Sequence, residues 1–168
     1  MPNELARRLR DIVAAELPVL ATLSDAHVSS KPAGSDSWSP KQELGHLIDS
    51  AANNHLRFVR GAIATETAPK PLLFDGYAQN AWVSIHGYDD SPWQETVAFW
   101  GQYNTFLAAL IERIPASALA TECTFAAGPV LTLGFVIDDY IVHMQHHLDH
   151  LIGRAVVTPY PRIKPQTT

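Results

Sequence analysis

The chain has 168 residues, of which 46% are hydrophobic and 17% are charged, and its formal net charge is −5. This composition is typical of one globular domain and excludes an intrinsically disordered chain. The acidic balance argues against a nucleic-acid partner, which requires a basic surface.

The compartment follows from cysteine usage and from the apolar stretches. Cys123 is the one cysteine of the chain, so neither an internal disulfide nor a cysteine-based metal site can form. The first residues have no basic and apolar leader pattern. The longest apolar stretch, 130–137, is too short to span a bilayer. We therefore expect a cytoplasmic protein without a membrane partner.

Four segments show the apolar periodicity of amphipathic helices. The first is predicted over residues 3–23, with a kink or break at Pro18. The second begins after Ser39 and runs to about residue 64. Its start, Ser39-Pro40-Lys41-Gln42, places a serine at the N-cap, a proline in the first turn and a glutamine where a capping box requires it.

The second half of the chain repeats this organisation. The third predicted helix starts with Ser91-Pro92-Trp93-Gln94 and ends at Pro115, and the fourth runs over residues 132–152 with Gly153 as its C-cap. The connection before the third helix contains a proline-rich loop at 65–75 and a short helix at 77–85. Residues 122–131 have the pattern of a small hairpin around Ala127-Gly128. These elements predict an all-α four-helix bundle with a long crossover between the second and third helices.

Histidines are concentrated in the fourth predicted helix, at His143, His146, His147 and His150. On a helical wheel, Asp139, His143, His147 and His150 share an arc beside the apolar stripe. His143 and His147 are four residues apart, so both imidazoles can reach one metal ion. The pair His146 and His150 has the same spacing and is a competing assignment.

A third metal ligand would have to come from the second predicted helix, which carries His46 and His55. These residues are nine positions apart and face opposite directions, and we expect His55 to be structural. His46 shares a polar arc with Glu43 and Asp49, which fits a metal site if the arc lines a solvent-reached pocket. On spacing alone, a metal site and a solvated histidine-rich face are equally supported.

Two segments carry a recognisable pattern: Trp38-Ser39-Pro40-Lys41-Gln42-Glu43-Leu44-Gly45-His46-Leu47 and His143-Met144-Gln145-His146-His147-Leu148-Asp149-His150-Leu151. Together they resemble the DinB-like superfamily, and within it the YfiT-like metal-dependent hydrolases and thiol transferases. The resemblance implies a DinB-like four-helix-bundle domain over residues 1–153 and a C-terminal tail over residues 154–168. Carried over by position, it implies the metal ligands His46, His143 and His147.

The resemblance also implies a chemistry. Family members bind one divalent ion such as nickel, zinc or iron, often form homodimers, and transfer low-molecular-weight thiols such as bacillithiol or mycothiol. This predicts an enzyme that transfers a thiol cofactor to a small electrophile or hydrolyses a small-molecule substrate. The alternative is a non-catalytic metal-binding stress-response protein.

Several residues bear on that chemistry. Related sequences often have a tryptophan before the first histidine of the pair and an arginine between the two histidines. Here those places hold Val142 and Met144-Gln145, so thiol-binding contacts do not carry over. Asp139, Asp49 and Glu43 are candidates to orient a ligand histidine or to act as a catalytic base.

Overall fold

The computed structural model describes residues 1–31, 37–65, 67–126 and 128–162, and it confirms the predicted four-helix bundle. The bundle consists of α1 (Pro2–Ala21), α3 (Pro40–Ala62), α5 (Trp93–Arg113) and α6 (Leu133–Ile152). Two short helices, α2 (Asp25–Val28) and α4 (Gln79–His86), lie in the connections. Short 3₁₀ turns span Tyr88–Asp90 and Ala116–Ala120.

Capping residues define the ends of the two helices that carry the histidines. At the start of α3, the Gln42 backbone N–H donates to the Ser39 hydroxyl at 3.2 Å, and the Ser39 N–H donates to the Gln42 side chain at 3.1 Å. This is the predicted capping box. Thr132 caps α6, and Gly153 ends it in the left-handed conformation with φ of 79°.

Two predicted helix features are wrong. No capping box forms at Ser91, because Pro92 occupies the N-cap of α5 and Gln94 instead donates to the Ala21 carbonyl oxygen at 3.1 Å. The predicted break at Pro18 is absent, because α1 continues through this residue, whereas the alternative of a kink stays a prediction. Pro18 lies in the last turn of α1, so its missing N–H removes one helical hydrogen bond and leaves the preceding turns intact.

A small sheet joins the two long connections. Its strands are β1 (Leu72–Phe74), β2 (Glu122–Phe125) and β3 (Leu131–Thr132). Strands β2 and β3 form the predicted antiparallel hairpin, although Ala127 of its predicted turn lies outside the described residues. Strand β1 falls in the segment predicted as a loop, and it pairs in parallel with β2. The crossover between α3 and α5 is thereby fixed beside the start of α6.

The helices pack in two main pairs, α1 with α5 and α3 with α6. Helix α5 also contacts α3, and α6 contacts α1, so α1 and α3 lie on a diagonal. Helices α3 and α6 run antiparallel and approach closely at Gly61, where an added Cβ would lie 2.7 Å from Leu133. Within the described parts of the chain, no helix is long and apolar enough to cross a membrane.

Candidate metal centre

The three histidines selected by the resemblance lie together at the interface of α3 and α6. His46 comes from α3, and His143 and His147 come from successive turns of α6. One ring nitrogen from each lies within 4.8 Å of the other two, and the Nε2 atoms of His46 and His143 are 3.1 Å apart. Nitrogens that share one tetrahedral ion at about 2.0–2.1 Å are themselves separated by roughly 3.3 Å. The spacing therefore fits a shared ion.

The opposite ring nitrogen of each histidine, Nδ1, faces a polar side chain of the protein. Such outer contacts orient a ligand imidazole and leave Nε2 for the metal. The contact of His147 is short, whereas the other two are long. The three pairs are His147 with Glu43 Oε1 at 2.7 Å, His46 with the Tyr77 hydroxyl at 3.4 Å and His143 with the Ser50 hydroxyl at 3.5 Å.

Burial keeps two of these imidazoles neutral. His46 is 1% exposed and His143 is 8% exposed. Burial, and then the charge of His147, lowers the pKa of His46 to about 3. Burial likewise lowers the pKa of His143 well below its usual value. The neutral imidazole is the form that coordinates a metal ion.

The competing histidine pair is not brought together. His146 Nδ1 lies 3.1 Å from the Thr158 carbonyl oxygen, on the side of the C-terminal tail. His150 approaches the buried Glu43 carboxylate at 2.8 Å, next to His147. Neither residue joins the three-histidine cluster.

Comparison with known proteins agrees with the four-helix fold. Residues 8–151 match the DinB superfamily. The chain belongs to this family. The solved structure of YfiT from Bacillus subtilis, described as a probable metal-dependent hydrolase with an unusual four-helix bundle topology, superposes with a TM-score of 0.76. The two sequences are 18% identical over 90% of this chain and 84% of that chain. No curated protein matches the chain.

The cluster of this DinB-superfamily chain adjoins a cavity of about 320 Å³ between α3 and α6. Its polar wall on α3 continues the polar arc of His46 by successive turns, through Ser50, Asn54 and Arg57. The arc residues Glu43, His46 and Asp49 lie outside the lining, so the cavity adjoins the predicted arc and reaches the metal cluster through His143. The remaining lining residues are Gly76, Tyr77, Gln79, Phe125, Leu131, Phe135, Val136, Asp139, Tyr140, His143 and Tyr160.

The three carboxylates proposed from the sequence occupy different surroundings. Glu43 contacts the ligand histidine His147, whereas Asp139 lines the cavity one turn before His143. Asp49 contacts no ligand histidine. It accepts a hydrogen bond from the Tyr88 hydroxyl at 2.7 Å, lies 2.8 Å from His86 Nδ1, and burial raises its pKa.

Sequence reasoning missed the contribution of the C-terminal tail. Residues 154–162 return along α6, and Arg162 donates to Asp138 at 2.6 Å and lies over the Phe135 ring. The Tyr160 ring packs on His143 with a centroid distance of 4.9 Å, so it forms a wall of the cavity. The tail has no periodicity that could have predicted this contact.

Proposed function

We propose that this protein is an enzyme that holds one divalent metal ion through His46, His143 and His147 and acts on a small molecule. The reaction is the transfer of a low-molecular-weight thiol to a small electrophile, or the hydrolysis of a small substrate. The observation that supports it is the position of the three-histidine cluster beside a cavity of about 320 Å³. Catalytic metal sites keep room for a substrate, whereas structural sites are closed by protein ligands. The cavity therefore favours an enzyme over a non-catalytic metal-binding stress-response protein.

The donor set suits a borderline divalent ion such as nickel, zinc or iron, because imidazole is a common ligand of all three. When bound, such an ion lowers the pKa of a water or thiol and polarises an electrophile. Three neutral imidazoles leave the ion positively charged, which favours an anionic ligand. The description of YfiT as a probable metal-dependent hydrolase supports the same assignment here.

The side chains around the cluster have defined roles in this proposal. Glu43 holds the ring of His147 through their 2.7 Å contact. Tyr77 approaches His46 from the crossover and also lines the cavity, so it links the ligand to the substrate side. Tyr160 covers His143 and limits the access of bulk water.

The thiol of a transfer reaction must come from a small-molecule cofactor. Cys123 is buried in the sheet, and burial raises its pKa to about 11. A thiol with such a pKa stays protonated at neutral pH and is a poor nucleophile. Cys123 also lies outside the residues that line the cavity.

The experiment is a conjugation assay with metal-loaded protein, a chloro-dinitroarene electrophile and bacillithiol, mycothiol, glutathione or coenzyme A in turn. At least one thiol should react faster than with metal-free protein. His46→Ala should abolish the acceleration, whereas Cys123→Ser should retain it. If no thiol is accelerated, the transfer reaction is excluded, and ester and amide substrates then test the hydrolase form of the proposal.

We also propose that the protein is a homodimer. Helix α5 exposes an aromatic patch, defined by Phe99, Tyr103 and Phe106, in which Phe99 and Phe106 are 53% and 52% exposed. Neighbouring exposed aromatic rings are typical of protein interfaces. Light scattering should give a dimer mass that Phe106→Glu reduces to a monomer without loss of bound metal. A wild-type monomer at micromolar concentration would contradict the dimer.

A further inference from the structure

Two opposite charges without a direct ion-pair partner face the cavity beside the metal cluster. Arg57 lines it from α3, and Asp139 lines it from α6. They do not form an ion pair with each other, and within the described residues neither lies at ion-pair distance from any other charge of opposite sign. Both side chains are half-buried, and charges partly removed from water are commonly paired. A cation and an anion without direct partners on one cavity therefore indicate a ligand that pairs with both.

Arg57 is held in place without being neutralised. Its guanidinium donates to the Asp75 carbonyl oxygen at 2.7 Å and lies 4.8 Å from the centroid of the Phe125 ring. A longer contact of 3.4 Å joins it to the Asn54 side-chain oxygen. These partners are uncharged groups, so the guanidinium is oriented and retains donors and full charge for a carboxylate.

Asp139 differs from its neighbour along the chain. Asp138 pairs with Arg8 and, at 2.6 Å, with Arg162. Asp139 makes no hydrogen bond with any described residue. Burial raises its pKa, although Arg162, which lies beyond ion-pair distance, acts to lower it. A carboxylate of this kind can accept up to four hydrogen bonds, and an ammonium group supplies both donors and a positive charge in direct contact.

We propose that the cavity binds a small zwitterion, whose carboxylate pairs with Arg57 and whose ammonium group pairs with Asp139. The aromatic rings that line the cavity, among them Phe125 and Tyr140, contact the apolar part of this molecule. The cavity volume of about 320 Å³ is at the lower end of the range for small-molecule sites. The subsite deepens the proposed enzymatic function, since it defines the charge pattern of the molecule presented to the metal.

The test uses ω-amino acids, because their ammonium and carboxylate groups are too far apart to chelate a metal ion tightly. Isothermal titration calorimetry with metal-loaded protein compares γ-aminobutyrate, 5-aminopentanoate and 6-aminohexanoate with the alkylamine and the alkanoate of matching length. At least one zwitterion should bind about tenfold or more tightly than either single-charge analogue, as expected for one extra charge-assisted pair.

Two substitutions test which residue binds each charged end of the zwitterion. Arg57→Met should reduce its affinity to that of the alkylamine, and Asp139→Asn should reduce it to that of the alkanoate. Arg60→Met is the matched control, because Arg60 also donates to a carbonyl oxygen of the crossover and stacks on a phenylalanine but lies outside the cavity lining. This control should leave the affinity unchanged.

Three results would overturn the subsite: no zwitterion binds, the single-charge analogues bind equally well, or Arg60→Met weakens binding as much as Arg57→Met. Circular dichroism of each variant verifies the fold. His147→Ala separates this inference from the proposed metal function, since His147 does not line the cavity. Zwitterion binding should persist in that variant even if its metal and its catalysis are lost.

Discussion

The two helix pairs of the bundle are built differently. The pair α1 and α5 meets through apolar side chains such as Leu9 and Trp100, both 0% exposed, and its surface carries compensated charges such as Arg10 with Glu112. Helices α3 and α6 carry most of the buried polar residues of the described chain. These are Glu43, His46, Asp49, Ser50, Asn54, His143 and Asp149.

Burial of polar groups reduces stability unless their hydrogen bonds and charges are satisfied. Helices α1 and α5 bear a small part of this cost, since Glu16 Oε2 and Trp100 Nε1 are buried without a hydrogen-bond partner among the described residues. The larger number of buried polar side chains, including the histidine cluster, belongs to α3 and α6. We infer that α1 and α5 mainly stabilise the fold and that α3 and α6 carry the function, as is common where activity and stability compete.

The largest expected effect tests the stabilising role of α5. Trp100→Ala should lower the free energy of unfolding by about 3–5 kcal/mol, because it removes a large buried ring and leaves a cavity. Chemical denaturation followed by circular dichroism measures the loss. The folded fraction should still bind metal. A loss below about 1 kcal/mol would show that the α1–α5 interface is not the main source of stability.

An intermediate effect is expected at the carboxylate that orients His147. Glu43→Gln should weaken metal binding by about 10–100-fold, as found for outer partners of metal ligands. Competition with a chromophoric chelator measures the affinity. His150→Ala is the control, because it leaves the contact between Glu43 and His147 in place. Equal losses of metal affinity in Glu43→Gln and His150→Ala would contradict the orienting role of Glu43.

The smallest expected effects distinguish two adjacent carboxylates. Asp138 is paired, and although burial alone would raise its pKa, Arg8 and Arg162 lower it. Asp139 is unpaired, and burial raises its pKa. Thermal unfolding at pH 7 should therefore show that Asp138→Asn destabilises the fold and Asp139→Asn stabilises it, each by no more than about 1 kcal/mol.

Both effects should depend on pH, on opposite sides of the unfolded-state pKa. The cost of ionising Asp139 is absent below the unfolded-state pKa of about 3.9 and is complete above its raised folded pKa, so the gain from Asp139→Asn should vanish in acid. The stabilisation from Asp138 is present above about pH 3.9 and is lost as pH falls through its lowered folded pKa. A destabilising Asp139→Asn would contradict the unpaired state of that carboxylate.

Local sequence signals predicted most of the fold and failed where tertiary contacts intervened. The motif at Ser39 forms its capping box, but the same motif at Ser91 does not, because Gln94 bonds to the end of α1. Strand β1 has three residues and a partner some fifty positions away, so no local pattern could reveal it.

The candidate site was predictable to the extent that it follows helical spacing. Spacing placed His143 and His147 on one face but could not separate them from His146 and His150. That choice needed the resemblance. In the structure, His146 contacts the C-terminal tail and His150 contacts Glu43. Arg57 lies three helical turns after His46, so helical spacing alone places it on the same side of α3. Tyr160 reaches the cavity through the irregular tail, which no periodicity describes.

The metal content of protein prepared without a histidine tag tests the central claim most directly. Elemental analysis should find close to one divalent ion per chain. His46→Ala, His143→Ala and His147→Ala should each lose most of it, and His55→Ala should retain it because His55 contacts Tyr103 on α5 instead. A metal-free wild type after growth with nickel, zinc and iron, or a loss of metal in His146→Ala but not in His143→Ala, would contradict the three-histidine site.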